Sequence, residues 1–510
     1  MTQPPTMPLR LSIIATLCTC AFASTSAGAA DAAFSTSFEA GQPLPSTASA
    51  AAGASGVRVE AGQGPERPYA AKPRAGYSGA RALRYQADGG GGRLQLFPVD
   101  IAIRADTQLS WMVLPEIVDG DTVTSTGVSL DLVLDDGRRV SGTTLRDQHG
   151  VRLGAPAQAQ SKTLYPQQWA RKAVRLGELA GRRIKAIELD VRPGSKPASG
   201  WLDDIVVADV APARVARLSD HVLTTRGTQA NGAFSRGNNI PATAMPHGFN
   251  FWTPATDAGT LSWLYSWNEK NGPDNRPRLQ ALSLSHQPSP WMGDRQTFQV
   301  MPSGARGTPD ADRGRRALSF AHENELARPY TYRVDFDNGI RAELAPSERA
   351  AIFRFRFPKE GDANLLFDNV DARGGLSLDA ATQTLRGYTD TRSGLSNGAT
   401  RMFVFARFDA RWQDSGLLET GRPTGYIKFA AQEGEMSEMR EVRMRIATSL
   451  ISVEQAERNL DLEIGEAGFD TVRERAQAAW DRELGRVKVE GASDDQLTTV
   501  YSNLYRLFLY

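Results

Sequence analysis

From Asp31 to Ser452 the apolar residues of this chain recur at every second position, in short runs broken by glycine and proline. No other feature constrains the fold as tightly. A two-residue period places successive side chains on opposite faces, so each run reads as a strand with one face buried. Leu130-Asp131-Leu132-Val133-Leu134, Ile187-Glu188-Leu189-Asp190-Val191 and Met402-Phe403-Val404-Phe405-Ala406 show the pattern. Asp135-Asp136-Gly137, Arg192-Pro193-Gly194 and Asp337-Asn338-Gly339 supply turns between strands. With 47 glycines and 28 prolines among 510 residues, turns are frequent and long helices are excluded from this part. Strands in that number without intervening helices must bury their faces as stacked sheets.

The β-rich region divides in two. Residues 31–213 open with Phe38-Glu39 and close with Trp201-Leu202-Asp203-Asp204-Ile205-Val206-Val207. That opening and close resemble the jelly-roll β-sandwiches attached to many secreted glycosidases, so an accessory module like a carbohydrate-binding module is expected. In such modules an acidic closing strand often lies near a structural calcium. Asp203 and Asp204 are read either that way or as solvated ends of an edge strand. Gly89–Gly92 precedes a strand with no helix behind it, which excludes a phosphate loop. Ala211-Pro212-Ala213-Arg214 reads as a linker, and residues 214–468 form a second β region. Glu433, Glu435, Glu438 and Glu441 read as a solvated charge run, and Met436–Met444 as a mixed segment that could be strand.

The period then changes to helical. Ser452–Leu462 and Asp470–Glu490 carry apolar residues at helical spacing, with Ser452 and Asp470 as N-caps. Residues 494–510 form a further amphipathic helix with Leu497, Val500, Tyr501, Leu504, Leu507 and Phe508 on one stripe. That stripe reaches the last residue, so packing partners beyond Tyr510 are expected.

Charge excludes some functions. The 59 basic and 58 acidic residues leave a net charge of +1, too little to select nucleic acid or an anionic membrane. Arg10, the apolar run Leu11–Ala23 and the small residues Ser24–Ala30 have the order of a secretory leader, cleaved after Ala29 or Ala30. Export to the periplasm or outside is expected. Cys18 and Cys20 are the only cysteines and fall inside this leader. The mature chain therefore has no disulfide, no cysteine metal site and no cysteine nucleophile. Neither His-Glu-x-x-His nor Gly-x-Ser-x-Gly occurs.

Two loops concentrate groups that bind polyols. Gly227–Thr253 (GTQANGAFSRGNNIPATAMPHGFNFWT) surrounds Asn238, Asn239, His247 and Asn250 with glycines and ends on Phe249, Phe251 and Trp252. Amides and imidazole exchange hydrogen bonds with hydroxyls in both directions, and an aromatic face can cover the C–H side of a sugar. A folded turn with a buried aromatic staple is the structural alternative. The second loop, Ser285–Pro302, sets His286, Trp291 and Asp294 close together between Pro288 and Pro290. Trp263, Tyr265 and Trp267, spaced by two, would share one face of a strand, either in a core or as a sugar platform.

GNNIPATAMPHGFNFWTP, SHQPSPWMGD and ISVEQAERNLDLEI resemble the N-terminal domain of glycoside hydrolase family 92, and QLTTVYSNLYRLFLY resembles the first helix of that family's catalytic domain. The resemblance covers about Leu218 to Tyr510. It implies a mainly β chain: the jelly-roll-like sandwich, a β-supersandwich over 214–468, a linker helix over 469–493, and at 494–510 the first helix of an α/α barrel. The family comprises calcium-dependent exo-α-mannosidases that invert the anomeric carbon. The resemblance implies mannose-containing glycans as substrates and maps sugar contacts onto Asn238, Asn239, His247, Phe249, Trp252, His286, Trp291 and Asp294. Asp294 would accept two hydroxyl bonds and Trp252 or Trp291 would wall the pocket. For His247 and His286 a tie to neighbouring loops stays open. Catalytic carboxylates and most calcium ligands are expected beyond Tyr510, which would leave this chain inactive alone. The alternative is a non-catalytic carbohydrate-binding or scaffold protein.

Overall fold

The computed structural model of the protein describes residues 32–46, 56–211, 215–234, 237–287, 289–430 and 439–509. The leader with its two cysteines, Pro212–Arg214 of the linker, Pro288, Met436 and the carboxylates Glu433, Glu435 and Glu438 lie outside the described residues.

The alternating segments fold as antiparallel sheets in two sandwiches. In the first, strands 57–63, 81–87, 198–209, 107–115 and 170–175 follow one another across one sheet, with 34–36 also paired to 198–209. Strands 92–102, 183–191 and 128–134 make the facing sheet. Between them lie Tyr85, Trp111, Leu130, Leu189 and Leu202, all at most 1% exposed. A short helix, α1 (Ala155–Ser161), packs at the edge of this sandwich.

The closing strand Ala198–Asp209 runs through the sheet interior, not along an edge. This overturns the reading of Asp203 and Asp204 as solvated ends. Asp203 is fully buried; its Oδ2 accepts the N–H groups of Tyr77 (2.7 Å) and Ser78 (3.2 Å) and its Oδ1 that of Asp204 (2.8 Å). Burial first, then the neighbouring Asp204 charge, pushes the Asp203 carboxyl well above the usual range. Asp204 sits at φ +43°, where the register against strand 107–115 slips, and its Oδ1 accepts the hydroxyls of Ser37 (2.8 Å) and Ser78 (2.5 Å). The pair ties the chain's opening segment to loop 64–80.

The second sandwich is larger. One sheet runs 251–255, 281–285, 298–303, 363–368, 425–429, 412–417, and the other takes nine strands from 278–279 through 318–328, 331–336, 341–346, 350–358, 439–449, 402–408 and 384–389 to 374–379. Its core holds Trp252, Phe353, Phe355, Phe367, Ile427 and Met444. The mixed segment ending at Met444 is strand Met439–Ser449.

Three helices follow: α2 (Val453–Glu463), α3 (Phe469–Leu484) and α4 (Asp494–Leu507). Ser452 caps α2, its hydroxyl accepting the Gln455 N–H at 3.1 Å, and Ser493 with Gln496 forms a reciprocal capping box on α4. Asp470 is not a cap, because α3 begins one residue earlier after Gly468. On α4 the buried face is Tyr501 and Tyr505, packed with Trp480 and Leu484 of α3, while Leu507 is 72% exposed. Tyr501 and Tyr505 thus find partners within the described chain, whereas Leu507 of the same stripe does not.

Candidate functional site

Among its described residues, loop 222–250 contains no strand or helix. Its backbone is shaped by residues the sequence marks. Gly237 (φ +104°) lies so close to Gly227 that an added Cβ would meet the Gly227 backbone at 2.4 Å, so the two glycines form a neck that no larger residue fits. Asn238 and His247 adopt φ +53° and +51°, conformations more accessible to Asn and His than to most residues.

Three bodies grip this loop. From the helices, Trp480 donates its indole N–H to the Ala244 carbonyl at 2.7 Å, Tyr505 bonds the Ala242 carbonyl, and the His247 N–H donates to the Phe508 carbonyl at 2.6 Å. From the first sandwich, Tyr69 stacks on Phe234 (5.0 Å, 11°) and Tyr165 tilts against the same ring (5.3 Å). From the second, the Phe249 and Asn250 N–H groups both donate to the Glu348 carbonyl, and Asn250 Nδ2 donates to the Arg349 carbonyl at 2.8 Å.

The two predicted loops do meet. His286 is 3% exposed and lies 4.7 Å from the Phe249 ring. Its Nε2 faces Asn250 Oδ1 at 3.2 Å and its Nδ1 faces the Arg295 carbonyl at 3.3 Å. Burial lowers its pKa to about 4, so the ring is neutral and donates to one of these two acceptors. Asp294, wholly buried, accepts the N–H groups of His286 and Arg295 through Oδ1, each at 2.8 Å. Burial pushes this carboxyl up to about 6, opposed by those N–H bonds and the Ser285 hydroxyl.

The expected sugar contacts therefore separate by exposure. Trp291 is 53% exposed, edge-on to Trp263 at 4.9 Å (83°). Trp263 in turn covers Gly232 at the tip of the first loop, 3.8 Å from where its Cβ would be. His247 is exposed, and Asn238, Asn239 and Phe249 are half-buried. Trp252 is not a wall. It is 0% exposed and edge-on to Phe353 at 5.0 Å, because strand Phe251–Ala255 is covered on both faces. His286 and Asp294 bind their own loops from within and have no free surface to offer a hydroxyl.

Trp263, Tyr265 and Trp267 lie in an irregular loop, not on a strand. Tyr265 is core and bonds Glu325 Oε2 at 2.8 Å, while Trp267 stacks on His322 at 3.6 Å. Sequence reasoning assigns no role to two buried polar hubs, although Asn250 is named in its loop. Asn250, a fully buried amide, links His286, Arg349 and Thr448. Asp368 binds Arg316, Arg422 and Arg313 beside the 257–261 loop. Asn250 carried a signal, its place in the Asn-rich loop; Asp368 carried none, because its partners come from distant segments. Among the described residues no group of three or more His, Cys, Asp or Glu side chains is placed to hold a metal ion.

Comparison with known proteins places these loops. The glycosyl hydrolase family 92 N-terminal domain model matches residues 221–450 and the family 92 catalytic domain model matches 455–510. An inverting family 92 mannosidase from Bacteroides thetaiotaomicron is similar at 30% identity and a TM-score of 0.52, over 59% of this chain and 40% of that one. A protein of Arthroderma benhamiae described as an uncharacterized secreted glycosidase is 23% identical over 351 residues, 61% of this chain and 44% of its own. The chain thus spans less than half the length of these relatives.

Proposed function

Because the chain belongs to glycoside hydrolase family 92, we propose that the protein releases terminal α-linked mannose from glycans with inversion, and that loops 227–250 and 285–296 orient the sugar. The observation that carries this reading is order and convergence. The family match passes from the β domain into the catalytic domain along one chain, and the two motif loops meet at Phe249 and His286.

In a single displacement a carboxylic acid protonates the glycosidic oxygen while a carboxylate, roughly 6.5–9.5 Å away, takes a proton from the attacking water. Neither role is assigned to a carboxylate of the described residues. Their part is binding: the exposed indole of Trp291 covers the apolar face of a pyranose, and the amides of Asn238 and Asn239 with the His247 imidazole bond its hydroxyls. His286, Asn250 and Asp294 hold that surface in shape. Calcium belongs to the proposal through the family alone. Among the described residues no group of three or more His, Cys, Asp or Glu side chains is placed to hold it. Export by the N-terminal leader belongs to the same reading, supported by the relative described as secreted. Among the described residues no helix is long and apolar enough to cross a membrane.

The test is to express the protein from its native gene and follow α-mannobiose with calcium by proton NMR. β-Mannose is expected as the first product, and Trp291→Ala is expected to raise KM about ten-fold with little change in kcat. First appearance of α-mannose refutes inversion. Absence of release favours a non-catalytic glycan-binding role.

A further inference from the structure

The outer face of the five-strand run in the first sandwich is only partly covered. Loops 64–80 and 165–169 fold over one part, burying Met112, Leu114, Trp169 and Trp201. Beside that cover lies a groove of about 740 Å³ whose floor includes Arg84, Gln86, Glu116 and Trp201.

The floor is built, not incidental. Glu116 accepts the Trp201 indole N–H at 2.8 Å, the Ser199 hydroxyl at 2.6 Å and Arg84 Nη2 at 3.4 Å. The Arg84 guanidinium lies 5.8 Å from the Trp201 ring. On this floor the Gln86 amide, a donor and an acceptor, is exposed, and the Arg84 side chain, a donor, is 42% exposed. Together they suit a hydroxyl, which both donates and accepts. Charge narrows the ligand further. Arg58, Arg67, Arg74 and Arg84 line the groove, and so do Glu66, Asp88, Glu116 and Asp119. Four charges of each sign leave no net field for a polyanion or polycation. The volume is that of an oligosaccharide-sized site.

We infer that this groove is a second glycan-binding site, separate from the loops at 227–250 and 285–296, and that it takes a neutral oligosaccharide chain. The choice of an α-mannan chain as that oligosaccharide rests on the function proposed above. Its position is fixed relative to the first site. Loop 64–80, which walls the groove, docks through its far end on the second sandwich: Asn275 Nδ2 donates to the Gly76 (3.0 Å) and Gly79 (2.7 Å) carbonyls, and the Trp267 indole N–H donates to the Tyr77 hydroxyl at 2.9 Å. A chain held in the groove is thereby presented at a constant distance from the sugar-orienting loops.

Calorimetric titration of α-mannotetraose into this chain tests the inference. Binding is expected to persist in Trp291→Ala, to weaken at least about ten-fold in Arg84→Ala/Gln86→Ala, and to exceed that of polygalacturonate. No binding, loss in Trp291→Ala with retention in the double variant, or preference for the polyanion each overturns it. Hydrogen exchange on the unsubstituted chain tests it without a variant: mannotetraose is expected to protect peptides over 81–87 and 114–119, and absence of that protection overturns it. Mannose release is assayed separately, so failure of the groove and failure of the hydrolase reading are distinguishable.

Discussion

Replacing Asp368 by asparagine removes one charge on which three cations depend. The Asp368 and Arg316 side chains are each 1% exposed, and Arg316 Nη2 lies 2.9 Å from Oδ2. Arg422 reaches Oδ1 through Nε at 2.7 Å and Oδ2 through Nη2 at 3.1 Å, and Arg313 Nε stands 3.4 Å from Oδ2. The Asn369 N–H and the Thr424 hydroxyl complete the shell at 2.8 and 3.0 Å. An asparagine amide occupies the same volume, so packing is conserved. What is lost is the counter-charge of a buried guanidinium, and breaking one side of a buried pair costs about 3–5 kcal/mol. Because two sandwiches share the chain, local stability is the proper readout. Hydrogen exchange in strand 363–368 at pH 7 should show its opening free energy reduced by that amount. The acid limb provides a second check. Burial alone would raise the Asp368 carboxyl, but Arg422, Arg316 and Arg313 outweigh it and hold the group below its usual range. A depressed folded pKa contributes stability that is complete above the unfolded value of about 3.9 and is lost as pH falls through the folded one. The penalty in Asp368→Asn should therefore be constant from pH 7 to 5 and shrink below about pH 4. A penalty under about 1 kcal/mol, the scale of an exposed ion pair, refutes the reasoning.

Asp294 behaves oppositely: its raised folded pKa of about 6 means stability present below the unfolded value and lost as pH rises. Asp294→Asn should gain on the parent by up to about 3 kcal/mol between pH 4 and 7, read from hydrogen exchange in strands 281–285 and 298–303 at both ends, and a pH-independent difference contradicts this. Asn250→Ala should cost about 2–4 kcal/mol, since the His286 ring and the Thr448 hydroxyl lose the Asn250 Oδ1 and the Arg349 carbonyl loses one of its donors; hydrogen exchange in strands 251–255 and 439–449 measures it. Phe234→Ala removes a ring held between Tyr69 and Tyr165. Its cost of about 3 kcal/mol should appear as faster hydrogen exchange in 227–250 with strand 363–368 unchanged, whereas uniform acceleration argues against a local brace.

Much of this architecture was legible in advance because its signals are local. Alternation placed the strands, the change of period at Ser452 placed the helices, and Gly237 announced a backbone conformation closed to larger side chains. The aromatic and polar residues of the two loops were legible as types but not as roles. Trp252 and Trp291 look alike in a string, yet one lies on a strand covered on both faces and the other on a loop with one face to solvent. His286 and Asp294 resemble ligand-binding groups until their hydrogen bonds are traced, and those run to Asn250 and to the backbone of their own loop.

The sequence by itself determined the period of each segment, the turns, the cap at Ser452 and the motifs that mark the family, since each depends on residues a few positions apart. Only the tertiary structure decided which groups face outward and which charges meet. Asp368 and its arginines are separated by more than 50 residues, Tyr69 and Phe234 come from different parts of the chain, and Asp203 is interior because its strand pairs on both edges. Burial and pairing at such separations arise from how sheets stack, and the local pattern does not carry that information.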